Sequence, residues 1–240
     1  MKTVLITGAG ARIGAHLARG LAAKGWAVAI HYNRSQKGAD AIVTEIETAG
    51  GQASAVQGNL FVPQDVETLI ERSTKALGKP LVALINNAST FEDDSAQSFS
   101  NAEFDYHMNI NLRAPLRLAQ YFAAQLPKRQ LGSIINMIDQ RVLSPDPSYF
   151  TYAVSKAALY SATKTLAQAL APTIRVNAIG PGPTLQNTAQ NESEFAAEKA
   201  ATLLGHGSSP DSLLEAALYL LGAESVTGQM LTVDSGQHLA

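Results

Sequence analysis

Near its N-terminus the chain enters a short apolar run, Thr3–Thr7, that ends in Thr7-Gly8-Ala9-Gly10-Ala11-Arg12-Ile13-Gly14 and passes at once into the helical pattern Arg12–Lys24. A strand that feeds a small-residue turn and then a helix leaves few folds open. The small residues let the backbone approach a pyrophosphate, while the helix start offers free N–H groups and the positive end of its dipole. The same alternation continues to the end of the chain. Strands are expected at Ala27–His31, Ala53–Gln57, Val82–Asn86, Ser133–Met137, Arg175–Ile179 and Met230–Val233. Helices are expected near Gly38–Ala49, Pro63–Ala76, Phe104–Gln125, Tyr152–Ala171 and Ser212–Leu221. Repeated βαβ units of this kind predict an α/β fold with a parallel sheet, and the nearly continuous apolar strands suit a sheet covered on both faces. No repeat or linker interrupts residues 1–240, so a single domain is expected, with the polar segment Thr184–Ser209 as a candidate lid.

Composition narrows the function. With 18 basic and 20 acidic residues the chain has no charge excess to draw it to nucleic acid or to a membrane surface. It has no cysteine, which excludes disulfides and thiol catalysis and fits a cytoplasmic protein. No run approaches the roughly 18 apolar residues of a spanning helix, and the first apolar run is too short for a signal peptide. The five histidines, His16, His31, His107, His206 and His238, are scattered without a pair at helical spacing, so no metal site is expected. Surface or packing roles suit most of them, with His31 an exception as part of the coenzyme loop. Asp93 and Asp94 fall near the expected pocket mouth with no pairing to argue, and Trp26 reads as core.

The end of the second strand bears on which dinucleotide the turn would hold. A carboxylate there binds the ribose 2′-hydroxyl of NAD and repels a 2′-phosphate. This chain reads His31-Tyr32-Asn33-Arg34-Ser35, with no acid before Asp40. Arg34 can pair with a phosphate through two N–H groups and Ser35 can donate a further hydrogen bond, so NADP(H) is expected rather than NAD(H). Further along, Tyr152 and Lys156 stand four apart on an expected helix, about one turn from each other on one face. An ammonium so placed is expected to lower the phenol's pKa and make it a general acid or base near neutrality.

Several elements occur in a characteristic order: TGAGARIG, INNAS at Ile85–Ser89, Asn111 in NINL, Tyr152 with Lys156, Pro181-Gly182 after RVNAIG, and TGQMLTVDSG at Thr227–Gly236. Together they resemble the short-chain dehydrogenase/reductases over essentially the whole chain. The resemblance implies a Rossmann-like, doubly wound sheet of seven parallel strands flanked by helices, and a homotetramer. It implies that Tyr152 exchanges the proton, that Lys156 holds the ribose, and that Asn111 holds a water linking Lys156 to solvent. It places Gly8, Arg12, Ile13, Gly14, His31, Tyr32, Asn33, Arg34, Ser35, Asn59, Leu60, Asn87, Ala88, Ser89, Tyr152, Lys156, Pro181 and Gly182 around the coenzyme. Asn59 stands where the family commonly has an Asp, and its side-chain carbonyl can still accept from an adenine amine.

Three departures point to one branch. Arg12 replaces a middle glycine, Asp139 stands thirteen residues before Tyr152 where most members have a Ser, and Ser89-Thr90-Phe91 follows Asn86-Asn87-Ala88. With the HYNRS strand end these are similar to the pteridine reductases. That likeness implies a substrate site of Arg12, Ser89, Phe91, Asp139, Tyr149 and Tyr152, with Phe91 stacking a pterin against the nicotinamide. The chemistry of the carboxyl agrees. A ketone reduced by hydride develops an alkoxide, which an ionised Asp repels and a Ser supports. A reduced C=N bond leaves a nitrogen that must gain a proton, which a carboxyl can help deliver, the more so if burial keeps it partly protonated. The expected reaction is therefore NADPH-dependent reduction of a dihydropterin or dihydrofolate. A reductase of ketones, quinones or 3-oxoacyl groups stays open, in which Asp139 merely ends the strand or caps a helix and Ser133 or Ser144 does its work. So does a dinucleotide-sensing protein without turnover.

Overall fold

The computed structural model describes residues 1–187 and 190–240. Its strands are β1 (Lys2–Ile6), β2 (Trp26–Tyr32), β3 (Gln52–Gln57), β4 (Ala83–Asn86), β5 (Gly132–Met137), β6 (Ile174–Pro181) and β7 (Met230–Val233). Successive side chains of a strand point to opposite faces. Thus Val4, Ile6, Val28 and Ile30 enter one core, while Leu5, Ala27 and Ala29 enter the other, all fully buried. The strands form one sheet in the order β3-β2-β1-β4-β5-β6-β7, and every neighbouring pair is parallel.

The helices are α1 (Arg12–Ala23), α2 (Gln36–Thr48), α3 (Pro63–Leu77), α4 (Asn101–His107), α5 (Ala114–Gln125), α6 (Phe150–Leu170), α7 (Glu192–Ala200) and α8 (Pro210–Gly222). One face of the sheet is covered by α1, α2 and α8, which contribute Leu17, Leu21, Ile42, Ile46, Leu213 and Leu220. The other is covered by α3, α5 and α6, through Leu69, Ile70, Leu118, Phe122 and Ala167. The doubly wound, seven-stranded parallel architecture is the one expected. The strand order reverses between β1 and β4, which pair with Ile6 opposite Ile85. Loops leaving the carboxyl ends of these two strands diverge to opposite faces, and the crevice between them is the place for a ligand in such a sheet.

Most element bounds lie within two residues of those expected from sequence, and two regions differ. The single helix expected over Phe104–Gln125 starts earlier, where Ser100 and Glu103 form a capping box. It is also interrupted: α4 passes into a π turn, Met108–Arg113, before α5 begins. The polar segment Thr184–Ser209, expected as an irregular lid, contains α7, which a second capping box between Asn191 and Glu194 starts. Thr188 and Ala189 of that expected lid lie outside the described residues. The helix expected at Ser212–Leu221 puts Leu213, Ala217 and Leu220 of α8 into the core.

Candidate active site

The turn after β1 is held from three sides. Thr7 Oγ1 accepts from the backbone N–H of Asn87 and of Ala88, both at 3.0 Å. Asn87 Nδ2 donates to Thr7 O at 2.8 Å. Gly8 N–H donates to His31 Nδ1 at 3.0 Å, and the other ring nitrogen of His31 meets Gly58 O at 3.0 Å. With Gly8 donating to one nitrogen, the ring carries its proton on Nε2 and is neutral. Burial pushes its pKa down to about 4, against the Gly58 hydrogen bond. His31 thus reaches the crevice, as expected of the coenzyme loop, but its polar atoms bind backbone and join the ends of β1, β2 and β3.

At two glycines the turn packs too closely for any side chain. A Cβ at Gly8, whose φ is +65°, would lie 2.9 Å from Ala88 Cα, and one at Gly14 would lie 2.5 Å from Gly8 O. Ala11, the N-cap of α1, offers no side-chain cap, and the first turn carries no acid. The helix start therefore keeps amide N–H groups for an anion, which fits a pyrophosphate. Arg12 has φ +54°, the left-handed backbone suited to the glycine it replaces. Its guanidinium donates to Gln186 O at 2.9 Å and Leu185 O at 3.2 Å. The cation expected beside the phosphates is in this structure a strap to the segment that follows β6.

Tyr32, Asn33, Arg34 and Ser35 continue the crevice to its far rim, the last three exposed, with Asn59 and Leu60 beside them. No acid lies among these residues, and an exposed Arg and Ser fit a 2′-phosphate. Asn59 Oδ1 accepts from Phe61 N–H at 3.0 Å, so one of its two acceptor positions is taken by its own turn. Pro181 and Gly182 close the opposite wall, where a Cβ on Gly182 would meet Asp234 Cα at 2.7 Å. The whole crevice measures about 1030 Å³.

α6 buries Thr151, Tyr152, Ser155, Lys156, Leu159, Thr163 and Ala167, a stripe at helical spacing. That stripe carries both expected reactive side chains to the carboxyl end of β5. Tyr152 donates to Asp139 Oδ2 at 2.6 Å. Asp139 is half-buried, and its Oδ1 accepts from Arg141 N–H at 2.9 Å, capping the short turn Gln140–Val142. Capping and contact with the phenol, weighed against each other from sequence, are done by the two oxygens of one carboxyl. Ser133, on β5, accepts from Arg175 Nη2 of β6 at 3.5 Å, and neither it nor Ser144 lines the crevice.

The expectation that Lys156 lowers the phenol's pKa is not met. Lys156 Nζ donates to Met137 O at 2.9 Å. Burial first, then the negative charge and hydrogen bond of Asp139, raise the Tyr152 pKa well above its ordinary value. Burial lowers that of Lys156 to about 8, with Asp139 opposing. The site therefore holds a phenol that keeps its proton until a strongly basic atom takes it.

The loop after β4 completes the pocket. Phe91 stacks on Tyr149, with ring centres 4.0 Å apart and planes 18° from parallel, and meets the Tyr152 ring edge-on at 4.6 Å. The slot foreseen between Phe91 and a nicotinamide is thus bounded by Tyr149, whose other neighbour is the Arg141 guanidinium at 5.3 Å. Ser89 Oγ donates to Asn111 Oδ1 at 3.1 Å. Asn111 also accepts from Thr90 N–H at 2.9 Å and donates to Thr90 O at 3.0 Å and Ser155 Oγ at 3.1 Å. The side chain of Asn111 is thus fully occupied in pinning this loop from the π turn. Sequence reasoning also missed Gln140, Phe195, Glu198 and Gln237, which line the crevice. For Phe195 and Glu198 the signal was there: Asn191-Glu192-Ser193-Glu194 before Phe195 is a helix start. Among the described residues no cluster could hold a metal, and no helix is long and apolar enough to cross a membrane.

The model of the short chain dehydrogenase family matches residues 2–198. The chain belongs to that family. Its relatives in the family span several chemistries. A crystal structure of FolM alternative dihydrofolate reductase 1 from Brucella suis, in complex with NADP, superposes with a TM-score of 0.97 at 40% identity, over 100% of this chain and 96% of that one. The 3beta-hydroxysteroid dehydrogenase 1 of Eggerthella lenta is 33% identical over 99% of this chain and 94% of its own. The 3-oxoacyl-[acyl-carrier-protein] reductase FabG of Staphylococcus aureus is 29% identical over 99% and 98%. As a member of this family the protein is an oxidoreductase.

Proposed function

We propose that this oxidoreductase reduces the C=N bond of a dihydropterin or dihydrofolate. Its coenzyme is NADP(H), which supplies the hydride when bound. Gly8, Gly14 and the start of α1 would hold the pyrophosphate, Arg34 and Ser35 the 2′-phosphate, and Lys156 the nicotinamide ribose. Phe91 and Tyr149 form a two-ring platform against which a flat bicycle gains burial and a fixed approach. With the coenzyme bound, a hydride added at the ring carbon would push the C=N electron pair onto nitrogen, and Tyr152 is placed to give that nitrogen its proton. Asp139 touches the same phenol oxygen and reaches the surface, so the phenolate regains its proton through the carboxyl from water.

The observation that carries the reading is the carboxyl itself, 2.6 Å from the phenol. A fixed negative group beside a growing alkoxide raises the barrier that a carbonyl reductase must lower, whereas beside a ring nitrogen it assists protonation. The likeness to the Brucella suis enzyme, named a dihydrofolate reductase, supports the same choice. The hydroxysteroid dehydrogenase and FabG likenesses favour a carbonyl substrate and supply the second reading. The partners proposed are thus a small pterin or folate and, for the assembly, three further copies of the chain.

NADPH oxidation with dihydrobiopterin and dihydrofolate, run beside diketones and acetoacetyl thioesters, separates the two. The pterins should be favoured at least tenfold in kcat/KM, and Asp139→Ala should abolish most of that turnover while leaving NADPH affinity within about twofold. Better turnover of the carbonyl compounds, or full pterin activity in the Ala variant, would overturn the reading.

A further inference from the structure

The loop that carries Phe91 is fastened to the start of α6 by a buried polar chain that takes no part in the reaction described. Glu92 N–H donates to His107 Nε2 at 3.1 Å. The opposite ring nitrogen, His107 Nδ1, therefore carries the proton and donates to Thr151 Oγ1 at 2.7 Å. Thr151 Oγ1 in turn donates its hydroxyl hydrogen bond to Asp94 Oδ2. The remaining carboxylate oxygen, Asp94 Oδ1, accepts from Thr151 N–H at 2.9 Å. Asp94, His107 and Thr151 are all buried. Each bond has one consistent direction, so the four groups are satisfied without water.

Two features make this more than packing. First, α6 has no cap of its own: Tyr149 stands at its N-cap position in the left-handed region, φ +53°, with no side-chain hydrogen bond. The anion that meets the start of the helix is Asp94, 57 positions earlier in the chain. Second, the loop is fastened at alternate residues. Asn111 holds Thr90, His107 holds the backbone of Glu92, and Thr151 holds Asp94. Phe91, between two fastened neighbours, meets the rings of Tyr149 and Tyr152.

We propose that Asp94, with Thr151 and His107, is the positioning device that sets the distance between the aromatic platform and the reactive phenol. Thr151 is covalently next to Tyr152, and Asp94 is three residues from Phe91. One carboxylate therefore holds the two halves of the substrate pocket in register. The proposal rests on Tyr152 as the proton donor, and holds whether the substrate is a pterin or a carbonyl compound.

Thr151→Val keeps the shape of Thr151 and removes the hydroxyl, leaving both Asp94 Oδ2 and the His107 N–H without their partner. Thr151→Ser restores it. With the better substrate of the panel above, the Val variant should lose at least tenfold in kcat and the Ser variant less than threefold. Titration with NADPH, followed by coenzyme fluorescence, should give a dissociation constant within twofold of wild type for both. The near-ultraviolet circular dichroism of the Phe91–Tyr149–Tyr152 group should change in the Val variant alone. If the Val variant does not fold, Asp94→Asn provides the second arm, expected to lose at least tenfold in kcat and to change the same dichroism. Wild-type kcat in a folded Thr151→Val or Asp94→Asn variant would overturn the proposal, as would a loss of NADPH affinity in step with kcat. Failure of every pterin to turn over would instead strike the proposed substrate, because the dichroism and the carbonyl assay still report on the device.

Discussion

Lys156 shows how far the surroundings of one residue can depart from what its spacing suggests. Four residues from Tyr152, it should stabilise the phenolate, yet its ammonium is spent on Met137 O and its charge is opposed by burial, which brings its pKa down to about 8. The proton is therefore present below pH 8 and lost above it. Because kcat/KM for NADPH reports the free enzyme, it should fall with an upper limb near pH 8 as Lys156 becomes neutral and ceases to attract the coenzyme. Lys156→Arg, whose charge persists, should carry that activity past pH 9, measured by NADPH oxidation at saturating second substrate. A wild-type profile flat to about pH 10 would sink the assignment. Asp139 is the complementary case. Its identity and its distance of thirteen residues from Tyr152 were legible, because catalytic spacing survives as sequence spacing. That its two oxygens divide between a turn and the phenol was not, since both uses suit a lone Asp at a strand end.

Among the elements, strands and long helices were legible because their periodicity follows from burial on two faces. The π turn was not. Met108–Arg113 reads as ordinary helix, and the extra residue per turn appears only through what it brings together: Asn111 under Thr90 and His107 under Glu92. Asp94 escaped for a related reason, its partner Thr151 being remote in sequence. The strand end after β2, read from sequence as the seat of the 2′-phosphate, leaves Arg34 and Ser35 exposed on the rim of the crevice. Coenzyme preference belongs to this element. Arg34→Glu should raise KM for NADPH about tenfold or more, by replacing a charge-assisted pair with repulsion. KM for NADH, which has no 2′-phosphate, should stay within twofold or improve. Equal effects on the two coenzymes would show that Arg34 acts through the fold of the loop and not through the phosphate.

At the scale of the molecule, one neutral ring ties the parts of the coenzyme half together. His31 accepts from Gly8 on the phosphate turn and donates to Gly58 after β3, while its own backbone carbonyl accepts from Ala9 N–H at 2.8 Å. Protonation would add a proton to Nδ1, turn the Gly8 contact into two opposed donors, and place a charge where burial is complete. Burial above all, with the nearby Arg72 charge, lowers its pKa to about 4, against roughly 6.5 in an unfolded chain. Between those values the unfolded chain binds a proton that the native one refuses, so stability is full above pH 6.5 and declines as the pH falls toward 4. The loss attributable to His31 alone is roughly 3 kcal/mol across that window. Carboxylates titrate there too, and a variant separates them. His31→Asn keeps an acceptor for Gly8 but has nothing to titrate, so it should be less stable than wild type at pH 7.5 and approach it at pH 4.5. Guanidinium unfolding midpoints of both proteins at the two pH values measure the gap. A gap that stays constant would mean that the ring is protonated in the native state, and that the phosphate turn is held open by something other than a neutral histidine.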